Sequence, residues 1–152
     1  MIALDHVLVP TDFSEASDVA LAYGRTLART FGATLHVLHV TENAFMRAIV
    51  TDPYAMEAAA AKKLQDRITA DDRRTLRAHA VLETSDDPAR AIATYANAVH
   101  VGLIVMGTRG RPFREQILMG SVAERVVRTA PCPVLTVKQP EHDFVLPDRG
   151  TP

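Results

Sequence analysis

Apolar runs of strand length alternate with amphipathic helical segments along almost the whole chain, and this alternation restricts the fold more than any other feature. The first run is Leu4-Asp5-His6-Val7-Leu8-Val9. A helix follows, with Ser14 as a good N-cap and Ala16, Val19, Ala20, Tyr23, Leu27 and Phe31 along one face. Gly32 stands where a C-terminal glycine should end it. The second strand is Ala33 to Val40. After a variable stretch, a helix is predicted from about Pro53 into the seventies, with Met56, Ala60, Leu64 and Ile68 on one side. The third strand runs from about Arg77 to Glu83, and Asp87-Pro88 reads as N-cap and first turn of the next helix. That helix should bury Ala89, Ile92, Ala93, Ala96 and Val99. The fourth strand, Val101 to Met106, is apolar on both faces, as a central parallel strand must be. A last helix opens at Ser121, with Val122, Val126, Val127 and Ala130 inward, and Pro133 to Val137 is the fifth strand. The order βαβαβαβαβ with right-handed crossovers gives an α/β fold, a doubly wound, mostly parallel sheet of five strands with helices on both faces.

Length and charge narrow the function. The chain has 152 residues, enough for one domain with a full-sized core. A net charge of −1 supplies no basic field for nucleic acid. No apolar run reaches the length of a membrane span, and the start lacks the pattern of a signal peptide, so a cytoplasmic location is expected. The single cysteine, Cys132, rules out a disulfide within the chain and reads as a small buried residue at a strand start. Residues from Gln139 to Pro152 read as a tail, leaving 1–138 as the domain.

In such a sheet, ligands bind at the carboxyl ends of the strands where the strand order reverses. Two polar loops lie there. One is Pro10-Thr11-Asp12, after the first strand. The other follows the fourth strand: Gly107, two residues, Gly110, nine residues, then Gly120-Ser121. Glycine lets the backbone turn with positive φ and lets phosphate oxygens approach the amides. A helix starting at Gly120-Ser121 presents free N–H groups and a positive dipole end to an anion, and the Ser121 hydroxyl adds a donor.

The chain resembles the universal stress protein family, in its ATP-binding subgroup. The resemblance rests on Val7-Leu8-Val9-Pro10-Thr11-Asp12-Phe13-Ser14, Leu103-Ile104-Val105-Met106-Gly107-Thr108-Arg109-Gly110, Gly120-Ser121-Val122-Ala123-Glu124-Arg125-Val126 and Pro131-Cys132-Pro133-Val134-Leu135-Thr136-Val137. It covers residues 1 to about 138 and implies a strand order of 3-2-1-4-5. It further implies that Pro10, Thr11 and Asp12 border adenine and ribose, with Asp12 on the ribose or near a metal on the phosphates. Val40 would contact adenine through its backbone, and Met106 would line the ribose and base pocket. Gly107, Arg109, Gly110, Gly120, Ser121 and Val122 would surround the phosphates. ATP, or another adenine nucleotide, is the implied ligand, with Mg²⁺ as its usual companion. The sequence departs from the common pattern at Arg109, at Ser85 before Asp86-Asp87-Pro88, and at Gly102.

The resulting expectation is a nucleotide-binding regulatory protein of stress adaptation, acting through an unknown protein partner. It would be a homodimer through the fifth strand, Val134 to Val137, because an apolar edge invites pairing. The alternatives are a slow ATPase or nucleotide hydrolase, and an interaction domain with a vestigial pocket. The lysine of a P-loop is absent and no base is evident. His36 and His39 differ by an odd number within a strand and should face opposite sides. Asp71-Asp72-Arg73-Arg74 reads as a solvated helix end.

Overall fold

The computed structural model describes residues 1–42, 52–108, 119–138 and 143–145. Its strands are β1 (His6–Pro10), β2 (Thr34–Thr41), β3 (His79–Thr84), β4 (Leu103–Gly107) and β5 (Val134–Val137). Its helices are α1 (Glu15–Phe31), α2 (Pro53–Arg67), α3 (Ala70–Leu76), α4 (Pro88–Ala98) and α5 (Ser121–Thr129). The sheet has five strands in the order β3-β2-β1-β4-β5. Each adjacent pair is parallel, so the expected fold class and strand order hold. Strand boundaries shift by a residue or two from the sequence reading; β1 ends at Pro10 and β4 at Gly107.

Strand alternation divides the core in two. Val7, Val9, Leu35, Val37 and Val105 pack against α1, α2 and α3. Leu8, Leu38, Ile104 and Met106 pack against α4 and α5. The chain winds from β1 to β3 on one side, then crosses under α4 to β4 and continues to β5. The order therefore reverses between β1 and β4, and Pro10 and Gly107 end the two strands that flank the crevice.

The helix starts follow local chemistry. The Ser14 hydroxyl accepts from Ser17 N–H, and the Asp87 carboxylate accepts from Arg90 N–H with Pro88 in the first turn. Gly32 ends α1 with φ 68°, where its N–H reaches the Ala28 carbonyl. The face α1 buries includes Ala20 and Tyr23 as expected, but its centre is rotated from the expected one. Ser17, Ala20, Leu21, Gly24 and Ala28 point inward, while Phe31 is exposed. Close approach decides this: a Cβ on Gly24 would stand 2.3 Å from Val9 Cγ2. The helix turns its smallest residues to the sheet, and the larger apolar ones flank the contact.

The single helix expected from Pro53 into the seventies is two. α2 stops at Arg67, and Thr69 caps α3 in a reciprocal capping box with Asp72. The Asp71–Arg74 run is therefore not simply a solvated end. Asp72 is fully buried, and Arg25 Nε of α1 donates to it at 2.8 Å. Burial alone would raise the Asp72 pKa, but Arg25 and the Thr69 bonds hold it below the usual value. The predicted inner face of α2 is correct at Leu64, and Ile68 just beyond it is buried as expected. In the tail, Tyr23 of α1 donates to Asp143 and meets the Phe144 ring edge-on at 4.7 Å.

Candidate functional site

β1 ends in a tightly bonded loop. Thr11 N–H continues the ladder to the Leu38 carbonyl at 2.8 Å. The Thr11 hydroxyl accepts from Phe13 N–H and bonds the Ser17 hydroxyl at 3.0 Å, so it is engaged inside the loop. Asp12 Oδ1 accepts from Ser14 N–H at 3.0 Å, while the side chain stays exposed at the rim. Pro10 and Thr11 are buried beneath it. Phe13 adopts φ 65°, a left-handed conformation that a bulky residue rarely takes.

That strained residue is surrounded. The His39 ring stacks on Phe13 with centroids 4.2 Å apart. His39 Nδ1 donates to the Thr11 carbonyl at 2.7 Å, which fixes its tautomer because a carbonyl only accepts. Burial pushes the His39 pKa below its usual value, which favours the neutral ring. From α2, the Arg67 guanidinium lies 4.8 Å from the Phe13 centroid and Lys63 Nζ lies 5.7 Å from it. Arg67 also donates to the Phe13 carbonyl at 3.1 Å and to Asp18 at 2.8 Å. The sequence reading missed this cluster. Arg67 is 54 residues from Phe13, and no local pattern links them. His36 and His39 do lie on opposite faces. His36 contacts Tyr95 of α4, whereas His39 contacts Phe13.

The glycine loop leaves the sheet beside this point. Gly107 is the last residue of β4, and a Cβ there would stand 3.0 Å from the Ala16 carbonyl oxygen. Its smallness admits the first turn of α1, not a positive φ. Thr108 N–H bonds the Val137 carbonyl at 3.1 Å, and Gly120 N–H donates to the Thr108 carbonyl. The two ends of the loop are thus pinned together at the carboxyl ends of β4 and β5. Arg109 and Gly110 lie outside the described residues.

Gly120 is the N-cap of α5, with φ −66° and ψ 157°. Positive φ is therefore not the reason for glycine here either. Among the described residues no side chain caps α5, in contrast to the other four helices, each of which has a side-chain cap. The first N–H groups of α5 lack that partner, Ser121 is exposed among them, and Val122 is half-buried. The helix is held in place by Arg125, which makes a two-armed ion pair with Asp87 at 2.7 and 2.9 Å and so ties α5 to the start of α4. Val40 ends up half-buried near the carboxyl end of β2, packed against the α4 side of the core. Met106 is 6% exposed and packs in the same cluster. Thr41 Oγ1, also at the end of β2, is buried without a hydrogen-bond partner among the described residues. Cys132 is half-buried, and burial pushes its thiol pKa up, away from reactivity. Among the described residues, no three metal-ligating side chains converge, and no helix is long and apolar enough to cross a membrane.

Comparison with known proteins agrees with the fold. The Universal stress protein family matches residues 3–138. A universal stress protein of Methanocaldococcus jannaschii is 30% identical over 145 residues, covering 90% of this chain and 84% of the relative. The solved universal stress protein UspA of Lactobacillus plantarum superposes with a TM-score of 0.77 at 24% identity, covering 90% of this chain and 99% of that one. The universal stress protein of Archaeoglobus fulgidus, solved in complex with dAMP, superposes with a TM-score of 0.65 at 24% identity, covering 91% and 100%. The matched span holds β1 with its Asp12 loop, β4 with Gly107, and the uncapped start of α5, and this chain belongs to the universal stress protein family.

Proposed function

We propose that this protein binds an adenine nucleotide, ATP above all, in the crevice between the carboxyl ends of β1 and β4, and that binding alters the surface it offers to a regulatory partner in stress adaptation. The observation that carries the reading is the start of α5. Its N–H groups have no side-chain cap among the described residues, and the hydrogen bond from Gly120 to Thr108 holds them beside the end of β4. Such an end favours a phosphate by hydrogen bonding and by the helix dipole. Ser121 adds a hydroxyl, and Arg109 and Gly110 of the loop complete the phosphate site. The exposed Asp12 carboxylate on the opposite lip suits the ribose hydroxyls. Thr11, whose hydroxyl, N–H and carbonyl are all engaged within the fold, serves by shaping the loop beneath the adenine and ribose. Val40 meets adenine through its backbone, and Met106 supports the pocket floor from within the core.

The relative solved with dAMP supports an adenine nucleotide as the class of ligand. Mg²⁺ fits as a cation carried by the phosphates and water, which needs at most one or two carboxylates; Asp12 is the candidate. The protein acts as a homodimer through the edge strand β5, in a cytoplasmic setting. Mass spectrometry of small molecules released from the purified protein tests the reading. An adenine nucleotide near one per chain supports it, and micromolar ATP that leaves the protein unbound in calorimetry contradicts it.

A further inference from the structure

The backbone outlier beside Asp12 needs an agent to hold it. Phe13 is a bulky residue at φ 65°, and such strain persists only where surrounding contacts over-determine it. Three kinds of contact converge on it. Its N–H is taken by the Thr11 hydroxyl at 3.1 Å, and its ring stacks on His39. Its carbonyl and ring are both engaged by one guanidinium, that of Arg67. Arg67 is anchored in turn by Asp18 in the first turn of α1 and by its own helix through the Lys63 carbonyl at 3.2 Å. A planar guanidinium can donate to the Phe13 carbonyl and to Asp18 while lying against the ring, which an ammonium cannot do at once. The left-handed turn at Phe13 directly follows Asp12 and so sets the direction in which the Asp12 carboxylate leaves the loop.

We infer that Arg67 is a positioning residue for nucleotide binding: through the Phe13 carbonyl and ring it holds the loop after β1 in its left-handed form, and thereby aims Asp12 at the ribose. The inference rests on the nucleotide-binding reading above and adds the residue, far along the chain, that makes the Asp12 loop competent. Arg67 makes no contact with the ligand in this account. It links α2 to the site, so a shift of α2 changes the affinity for nucleotide.

The test compares ATP with 2′,3′-dideoxy-ATP, which lacks the ribose hydroxyls, by calorimetry on the full chain. Wild type is expected to prefer ATP by about tenfold, the worth of one hydrogen bond to a charged group. Arg67→Ala and Asp12→Ala should each reduce that preference to about twofold or less, with dideoxy-ATP affinity nearly unchanged. Phe13→Gly introduced into Arg67→Ala should restore part of the preference, because glycine takes positive φ without strain. A loss of general stability would weaken both ligands alike and would not be rescued by removing an aromatic ring. A second readout needs no nucleotide: the Phe13 Cα and Cβ chemical shifts report the left-handed backbone, and they should move toward extended values in Arg67→Ala. Arg67→Ala with full preference for ATP and unmoved Phe13 shifts overturns the inference. A wild type that binds ATP and dideoxy-ATP equally overturns the aim of Asp12 and the inference with it. A wild type that binds neither overturns the nucleotide reading itself, and the Phe13 shifts then still decide whether Arg67 holds the loop.

Discussion

A methyl group at position 107 would stand 3.0 Å from the Ala16 carbonyl oxygen and 3.1 Å from its carbon. Backbone cannot yield as a flexible side chain can, so Gly107→Ala should separate α1 from β4 and cost about 2 kcal/mol in denaturant unfolding, as overpacking does. Unchanged stability would contradict the account of that glycine. Asp12→Ala should behave in the opposite way. The side chain is exposed and its carboxylate accepts from Ser14 N–H in a local turn, so the fold should survive while calorimetry shows weaker ATP binding. Equal affinity would remove Asp12 from the site. At this scale the sequence located the glycines at the sheet's carboxyl end but misjudged why glycine stands there. The Gly-x2-Gly-x9-Gly-Ser spacing singles out a loop at the carboxyl end of β4, where the structure places Gly107 and Gly120, but a spacing carries no dihedral angles. Gly107 is small for packing and Gly120 is an N-cap in extended conformation. The left-handed residue beside Asp12 is Phe13, which no rule for glycine would have found.

Whole elements were legible wherever amphipathic period and capping agreed. Ser14, Gly32 and Asp87-Pro88 marked helix ends correctly. The break between α2 and α3 was not legible, because Thr69 and Asp72 cap a helix only when Asp72 is turned into the core toward Arg25, 47 residues earlier. Asp72→Ala leaves Arg25 without its buried partner and should cost about 3 kcal/mol, as broken buried pairs do. The Asp72 pKa is lowered in the fold, so its contribution is present at neutral pH and is lost as pH falls through the folded value. A second element-scale term comes from the strand histidines. His36 is buried between Tyr95, at 2.7 Å from its Nδ1, and His6 Nδ1, at 3.1 Å from its Nε2, and stacks on His79. Burial first, then His79 and His6, push its pKa down to about 4. A histidine lowered in the fold is protonated first in the unfolded chain. Stability should therefore fall between pH 6.5 and about 4, by up to about 3 kcal/mol from this group. Urea midpoints across that range should drop for wild type and drop less for His36→Gln, which keeps a side chain able to hydrogen-bond. Parallel slopes for the two proteins would contradict the assignment.

At the scale of the molecule, the strand order β3-β2-β1-β4-β5 brings the Asp12 loop and the start of α5 to one end of the sheet, although more than a hundred residues separate them. The alternation of elements made the doubly wound class legible, and the family resemblance supplied the strand order, whereas the clasp of α2 on the β1 loop depends on contacts that only the folded chain assembles. The same topology leaves β5 at an edge, with Val134, Leu135 and Thr136 half-buried. Sedimentation at micromolar concentration should give a dimer, and a monomer at all concentrations would contradict pairing through that edge. The central claim, that phosphate sits on the uncapped start of α5, is tested most directly by calorimetry of Gly120→Asp with ATP and with adenosine. The extended backbone at Gly120 accepts an aspartate N-cap without strain. Its carboxylate would take the N–H groups that phosphate needs and add a like charge. The thermal midpoint should hold or rise slightly, while losing two bonds to phosphate, each worth about 1.5–3 kcal/mol, should weaken ATP by about a hundredfold or more. Adenosine, which has no phosphate, should bind almost as before. If Gly120→Asp stays folded and ATP binds it as well as wild type, or if ATP and adenosine weaken by the same factor, the phosphate does not lie on α5 and the account is wrong.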